Sequence, residues 1–219
     1  MSPLRAWSDP LAEHIVGTYF ALRAAMAIMA VGLPLLLVAW SLLDPDLPVL
    51  GSMSEYYYSP ARDVFVGVLS GTGIALICYR GHGPLENRLL NAAGAFLVVV
   101  ALVPTDPPGQ SDFGLRMTVH AVAAVAFFVS FAVSVWRCAD DTLDPSRDSE
   151  RRIRRYRRAY RVVAVVVVVA PASALALVLV LRQGALAVLV VEAVAVITFG
   201  AYWTLKSYEL RGTELAEQP

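Results

Sequence analysis

Lysine is almost missing from this chain. Lys206 is the only one, against seventeen arginines, and it ends the last apolar run. No lysine therefore stands in a membrane core to carry a retinal-type Schiff base. Histidine is nearly as scarce, with His14, His82 and His120. Cysteine is limited to Cys78 and Cys138, each closing an apolar segment close to arginine. Two cysteines so placed read as small hydrophobes, not as a disulfide or a metal pair. Charge as a whole is thin. Charged residues make up 16% of the chain, against about a quarter in soluble domains. Hydrophobic residues make up 58%, which is too many for a soluble surface to hide. The composition implies an integral membrane protein. P-loop, dinucleotide fingerprint and HExxH motifs are all absent, as are internal repeats and low-complexity tracts.

What is present is long apolar segments. A bilayer core of about 30 Å takes roughly 20 residues of helix. Six segments meet that need: 18–43, 62–79, 86–103, 115–136, 162–181 and 185–205. They predict an all-α, polytopic bundle of six transmembrane helices, one integral membrane domain over residues 1–219. The first run is too long for the apolar core of a cleavable signal. Pro34 and Pro171 fall inside spans one and five, where bends are expected.

Loop charge orients the bundle. Arg5, Arg80, Arg88, Lys206, Arg211 and the basic loop 137–161, with "RDSERRIRRYRRAYR", all fall on one side. The opposite loops, "DPDLPVLGSMSEYYYSPA", "PTDPPGQSDFG" and "RQG", are acidic or nearly neutral. The positive-inside rule then puts both termini in the cytoplasm of a chain set in the plasma membrane, with residues 44–61 outside. Trp40 marks an outer end. Tyr79, Trp136, Tyr202 and Trp203 mark inner ends, as interfacial belts. Gly67 and Gly71 form a GxxxG in span two, which predicts close approach of a neighbouring helix. Membrane lipids are the expected partners. Arg151, Arg152, Arg154, Arg155, Arg157 and Arg158 suit anionic headgroups, at roughly 1 kcal/mol each near the surface. The alternative is that they only fix topology. Tethered at a membrane, they are not expected to bind nucleic acid.

Ionisable residues gather on the expected outer side. Glu55, Arg62 and Asp63 flank the start of span two, and Asp106 follows span three. Arg116 and His120, four apart, share a face of span four. Glu192 lies about 10 Å into span six at 1.5 Å per residue. An intramembrane carboxylate is costly and is expected to face the bundle interior or a hydrated cavity. The inner half of the membrane holds almost no charge by the same reading. Asp63, Gly67, Ser70 and Gly71 make a small, polar face of span two that suits an inward turn. The simplest arrangement gathers Asp63, Asp106, His120 and Glu192 around a polar pocket open to the outside. The tyrosines, Tyr56, Tyr57 and Tyr58, form its rim, and Glu55, Arg62 and Arg116 are further pocket candidates. Each also has a structural reading: interfacial tyrosines, ion-paired arginines, a turn-shaping aspartate and a packing histidine.

Such a pocket suits the binding or handling of a lipid or small amphiphile. Two alternatives stand beside it. One is a metal-dependent intramembrane hydrolase of a lipid amide or ester, with a divalent metal held by His120, Asp106, Asp63 and Glu192 activating water. The other is a proton-coupled carrier with Glu192 as the proton site. A three-histidine zinc site is excluded within one chain, because His14 and His82 fall on the other side.

Ser54 and Glu55 before span two, and His120 opening span four ahead of "AVAAVAFFVSF", resemble the DRAM/FRAG-like family of six-span membrane proteins. The order of features is similar over most of the chain. It also resembles bacterial membrane proteins of this size. The resemblance implies a role in lipid or membrane homeostasis. "SEYYYSPARD" is similar, more faintly, to the Ser, His and Asp segment of the alkaline ceramidase and progestin/adiponectin receptor hydrolases. Here Tyr58 or Ser59 stands where that histidine would be, and the late HxxxH is missing.

Overall fold

The computed structural model describes residues 10–107, 114–143, 145–146, 148–181 and 186–214. They form six α-helices and one 3-10 turn, with no strand among the described residues. The helices are α1 (Pro10–Leu43), α2 (Arg62–Cys78), α3 (Pro84–Leu102), α4 (Leu115–Cys138), α5 (Glu150–Leu181) and α6 (Leu186–Glu214). The 3-10 turn is Ser54–Tyr58. All but α2 are long and apolar enough to cross a membrane. The 17 residues of α2 reach about 26 Å at 1.5 Å each.

Each helix packs on its neighbours in sequence, and α6 packs back on α1. The result is a closed ring of six helices. Its centre is filled by Leu33, Leu69, Leu97, Phe127, Phe131 and Phe199, all buried. Phe131 and Phe199 have centroids 4.7 Å apart. This apolar layer separates polar residues at one end of the ring from polar residues at the other. Residues 44–61 lie at one end. The start of α5 and the last turns of α6 lie at the opposite one, called here the basic end.

Three sequence expectations need correction. The basic stretch is not a loop: residues 150–161 are the first three turns of α5. Arginine is a good helix former, and Glu150 holds Arg154 one turn on at 2.8 Å. α6 likewise runs past Leu205 to Glu214. The aromatics divide. Trp40 and Trp136 are exposed, as interfacial residues should be, but Tyr79, Tyr202 and Trp203 are buried and pack on one another at the basic end. Pro34 and Pro171 sit inside helices that continue through them.

The third correction concerns glycine. Gly67 is exposed, and a Cβ there would touch nothing within 4 Å. At Gly71 it would make an ordinary contact with Met29 Sδ at 3.5 Å. The close crossing is instead Gly73 on α2 against Gly94 on α3. A Cβ on Gly73 would come within 2.7 Å of the Gly94 carbonyl oxygen, and one on Gly94 within 2.5 Å of the Gly73 oxygen. Backbone meets backbone, so neither side chain can rotate away to make room. We therefore expect Gly73→Ala and Gly94→Ala each to cost about 1–3 kcal/mol by overpacking, outweighing the gain of about 1 kcal/mol in helix propensity. Gly67→Ala should be neutral or stabilising. Thermal unfolding in one detergent checks all three.

Candidate functional site

Residues 44–61 fold onto the end of the ring as a plug. The local sequence explains the turn. Ser52 and Glu55 stand in the S-x-x-E spacing of a capping box. Ser52 Oγ accepts the Glu55 amide at 3.3 Å, and Glu55 Oε2 reaches back to the Gly51 amide at 3.0 Å. The Tyr56 ring then drops into the bundle and is wholly buried. Its hydroxyl lies 2.8 Å from Ser41 Oγ of α1, which itself donates to the Pro48 carbonyl at 3.1 Å. Ser41 thus spends its proton on Pro48, so Tyr56 is the donor of the pair, and the Leu50 amide points at the Tyr56 oxygen at 3.4 Å. Every polar group in that chain has a partner, as burial demands.

α6 holds the plug by its backbone. Glu192 Oε2 accepts the Met53 amide at 2.7 Å, and the Leu189 amide donates to the Gly51 carbonyl at 2.9 Å. Leu189 lies in the first turn of α6, where amides lack helical partners. α4 supplies His120, which is only 6% exposed. Its Nε2 lies 3.0 Å from Ser54 Oγ and its Nδ1 lies 2.7 Å from the Val103 carbonyl. A carbonyl only accepts, so Nδ1 carries the proton. Nε2 of the neutral ring is then an acceptor, and the Ser54 hydroxyl donates to it.

The other expected site residues lie around this centre. Tyr58 donates to the Thr105 carbonyl at 2.5 Å. Partial burial pushes its hydroxyl above the usual tyrosine range, with Arg116 pulling the other way, so it stays a donor at neutral pH. Arg62 donates to the Tyr57 hydroxyl at 2.7 Å and lies 4.4 Å over its ring. Asp106 Oδ2 accepts the Gly114 amide at 2.9 Å, tying the end of α3 to the start of α4. Arg116 is exposed one turn before His120. Asp63 is exposed and, with Gly67, faces away from the bundle, not into it. No ion pair joins Arg62 or Arg116 to Asp63, Asp106 or Glu192.

Glu55, Tyr57, Tyr58, His120 and Glu192 are thus brought together by the plug, while Asp63 is left out. The expected open mouth is occupied by Tyr56, the one tyrosine of the three that is wholly buried. Among the described residues no three His, Cys, Asp or Glu side chains gather as a metal site. Both nitrogens of His120 are already engaged.

A family model described as protein of unknown function (DUF998) matches residues 52–205. The chain belongs to the DUF998 family. No curated protein and no solved structure matches it. The DUF998 match opens at Ser52, so it takes in the capping turn, Ser54, His120 and Glu192. It leaves Ser41 on α1 outside.

The basic end of this DUF998 chain holds the charges that the sequence reading missed. Arg23, Glu86, Lys206 and Glu209 are each 3% exposed or less. Lys206 Nζ donates to the Ala139 carbonyl and to Thr142 Oγ1, both at 2.6 Å, and lies 3.2 Å from Glu209 Oε2. Thr142 and Tyr160 also donate to the Glu209 carboxylate. Glu86 accepts the His82 amide at 2.7 Å and closes the turn between α2 and α3. Arg23 meets the Tyr79 hydroxyl. The signal was available: Arg23 stands inside the first apolar run, and Lys206 and Glu209 continue the buried i, i+3/i+4 face of Phe199 and Tyr202. Lys206, Glu209, Thr142 and Tyr160 read as a clasp holding α4, α5 and α6 together, while the Arg23 Nε is buried without a hydrogen-bond partner among the described residues.

Glu192 separates two environments by mutation. Facing lipid, Glu192→Leu would stabilise the protein, because leucine inserts favourably. Here it strands the Met53 amide beneath the plug. We expect Glu192→Leu to cost about 1–3 kcal/mol, and Glu192→Gln, which keeps an acceptor oxygen, to cost under about 1 kcal/mol. Thermal unfolding of the purified protein measures both.

Proposed function

We propose that this DUF998 chain handles a lipid or small amphiphile at the end of the ring covered by residues 44–61. One observation carries the reading. Ser54 and His120, 66 residues apart in sequence, meet at 3.0 Å, with the imidazole oriented by the Val103 carbonyl. A hydrogen-bonded serine at a membrane-facing end, with Arg116 and Tyr58 beside it, matches the polar head of an amphiphile. Exposed Leu42, Leu43, Leu102 and Leu115 at the same end offer contact to its chains. Ser54 and His120 are also the features that resemble the DRAM/FRAG-like proteins, and their contact supports retaining that resemblance within the proposal.

We infer further that α2 crosses with the other five helices in a single membrane domain. Both termini are then cytoplasmic and the plug faces outward. The support is the loop asymmetry and the ring itself, in which α2 packs between α1 and α3. α2 is short because the chain entering it is used by the plug.

A second reading is favoured by the same contact. Serine bonded to an oriented histidine is a nucleophile–base pair, so hydrolysis of a lipid ester or amide needs no metal here. The metal-assisted version has less support, since His120, Asp106, Asp63 and Glu192 do not gather. A carrier using Glu192 has less support too, since that carboxylate is engaged with Met53.

Photoactivatable phospholipid incorporated with the purified protein, followed by peptide mapping, tests the proposal. Adducts should concentrate on peptides spanning 50–62 and 115–123, and Ser54→Ala with His120→Ala should lower them several-fold. An even spread over all lipid-facing helices would remove the reading. Covalent labelling of Ser54 by a fluorophosphonate, dependent on His120, would select the hydrolase.

A further inference from the structure

The arginines at the start of α5 fall into two groups. Arg154 is paired with Glu150 at 2.8 Å and Arg157 with Asp140 at 2.8 Å. Arg152 lies 3.1 Å from Asp148 and donates to the Glu209 carbonyl at 3.0 Å. These three are occupied by the protein itself. Arg151, Arg155 and Arg158 are exposed, and no ion pair or hydrogen bond engages them among the described residues. Their spacing of four and three residues puts them on one face of the helix.

That face does not end at the last arginine. Continuing by the same steps it reaches Val162, Val165 and Val169, which are 57%, 51% and 58% exposed. Side chains of one stripe are thus cationic for about 10 Å and then apolar for a further 10 Å or so, at 1.5 Å per residue. Two shallow grooves of 640 and 590 Å³ border the stripe, and both contain Arg151, Arg155 and Ala159. One runs down to Val162 and Val163, and the other to Tyr156, Leu205 and Tyr208 on the α5–α6 seam.

We propose that this stripe is a binding site for an anionic phospholipid. Its phosphate lies among the forks of Arg151, Arg155 and Arg158, and its acyl chains lie along Val162, Val165 and Val169. Arginine is suited to the role because its planar fork can grip two phosphate oxygens at once. The pattern of pairing is what separates a site from a merely basic segment. A segment that only fixes topology has no reason to engage Arg152, Arg154 and Arg157 and leave Arg151, Arg155 and Arg158 aligned above an apolar track; Arg161, also exposed and unengaged among the described residues, lies off that track. The site lies at the basic end, so it stands or falls apart from the reading of Ser54 and His120.

Native mass spectrometry of the full chain, titrated with phosphatidylglycerol or phosphatidylcholine, tests it. Phosphatidylglycerol should be retained in preference. Arg→Gln at 151, 155 and 158 together should weaken that retention about tenfold or more, given the strength of each arginine near an anionic surface. Arg→Gln at 137, 157 and 161, which removes the same charge from arginines that line neither groove, should change it less than about threefold. Where the glutamine variants fail to fold, Arg→Lys at 151, 155 and 158 keeps the charge and should still lose several-fold, because the fork is gone. Equal loss from both glutamine triples, no loss in the lysine triple, or no preference for phosphatidylglycerol would each overturn the site. So would displacement of the lipid by inorganic phosphate alone, which would make the acyl track irrelevant.

Discussion

Backbone that leaves helical geometry at the end of a membrane bundle must find its hydrogen bonds there, and residues 50–59 find theirs partly within the turn and partly in other helices. The Met53 amide goes to Glu192, the Gly51 carbonyl to the Leu189 amide, and the Tyr56 hydroxyl to Ser41. Irregular backbone at membrane depth is tolerated only under such conditions. The plug therefore depends on one acidic side chain in an apolar helix, and that carboxylate in turn escapes lipid by lying under the plug. Neither is stable in its place without the other.

The same economy shapes the opposite end. Lys206, Glu209 and Tyr160, almost without exposure to solvent, complete their hydrogen bonds with the half-buried Thr142. Removing one member of such a cluster leaves an uncompensated charge, which is more damaging than never having had the pair. Between the two ends lies the aromatic layer of Phe127, Phe131 and Phe199. The molecule is thus two polar clasps joined by an apolar waist. The plug-end clasp borders exposed leucines, and the basic one borders the free arginine stripe.

Much of this was legible in the sequence, for identifiable reasons. Six apolar runs gave six helices because membrane length and hydropathy constrain them strongly. The start of α5 is hard to place from sequence because dense charge resembles a loop, although arginine favours helix and the stretch begins with Glu150. The inward direction of Glu192 followed from the cost of a carboxylate in lipid. Its partner did not, since the partner is a backbone amide 139 residues away and leaves no side-chain signature. Ser54 and His120 could be named separately, but their contact is a product of the ring. The spacing of Gly67 and Gly71 mimics a packing face and so points Asp63 inward, whereas both Asp63 and Gly67 are exposed. The close helix approach was made by Gly73 and Gly94 instead, one of them on a different helix. Arg23 lay in plain view inside the first span, and the cost that marked Glu192 applied to it equally.

The claim on which the rest depends is that residues 50–58 are a bonded plug and not a free loop. Amide hydrogen exchange of the protein in lipid nanodiscs tests it most directly. The account predicts that the Met53 amide exchanges slowly, with protection comparable to that of Leu189 in the first turn of α6. Exchange of Met53 at the rate of an unstructured surface loop, while α6 stays protected, would contradict it.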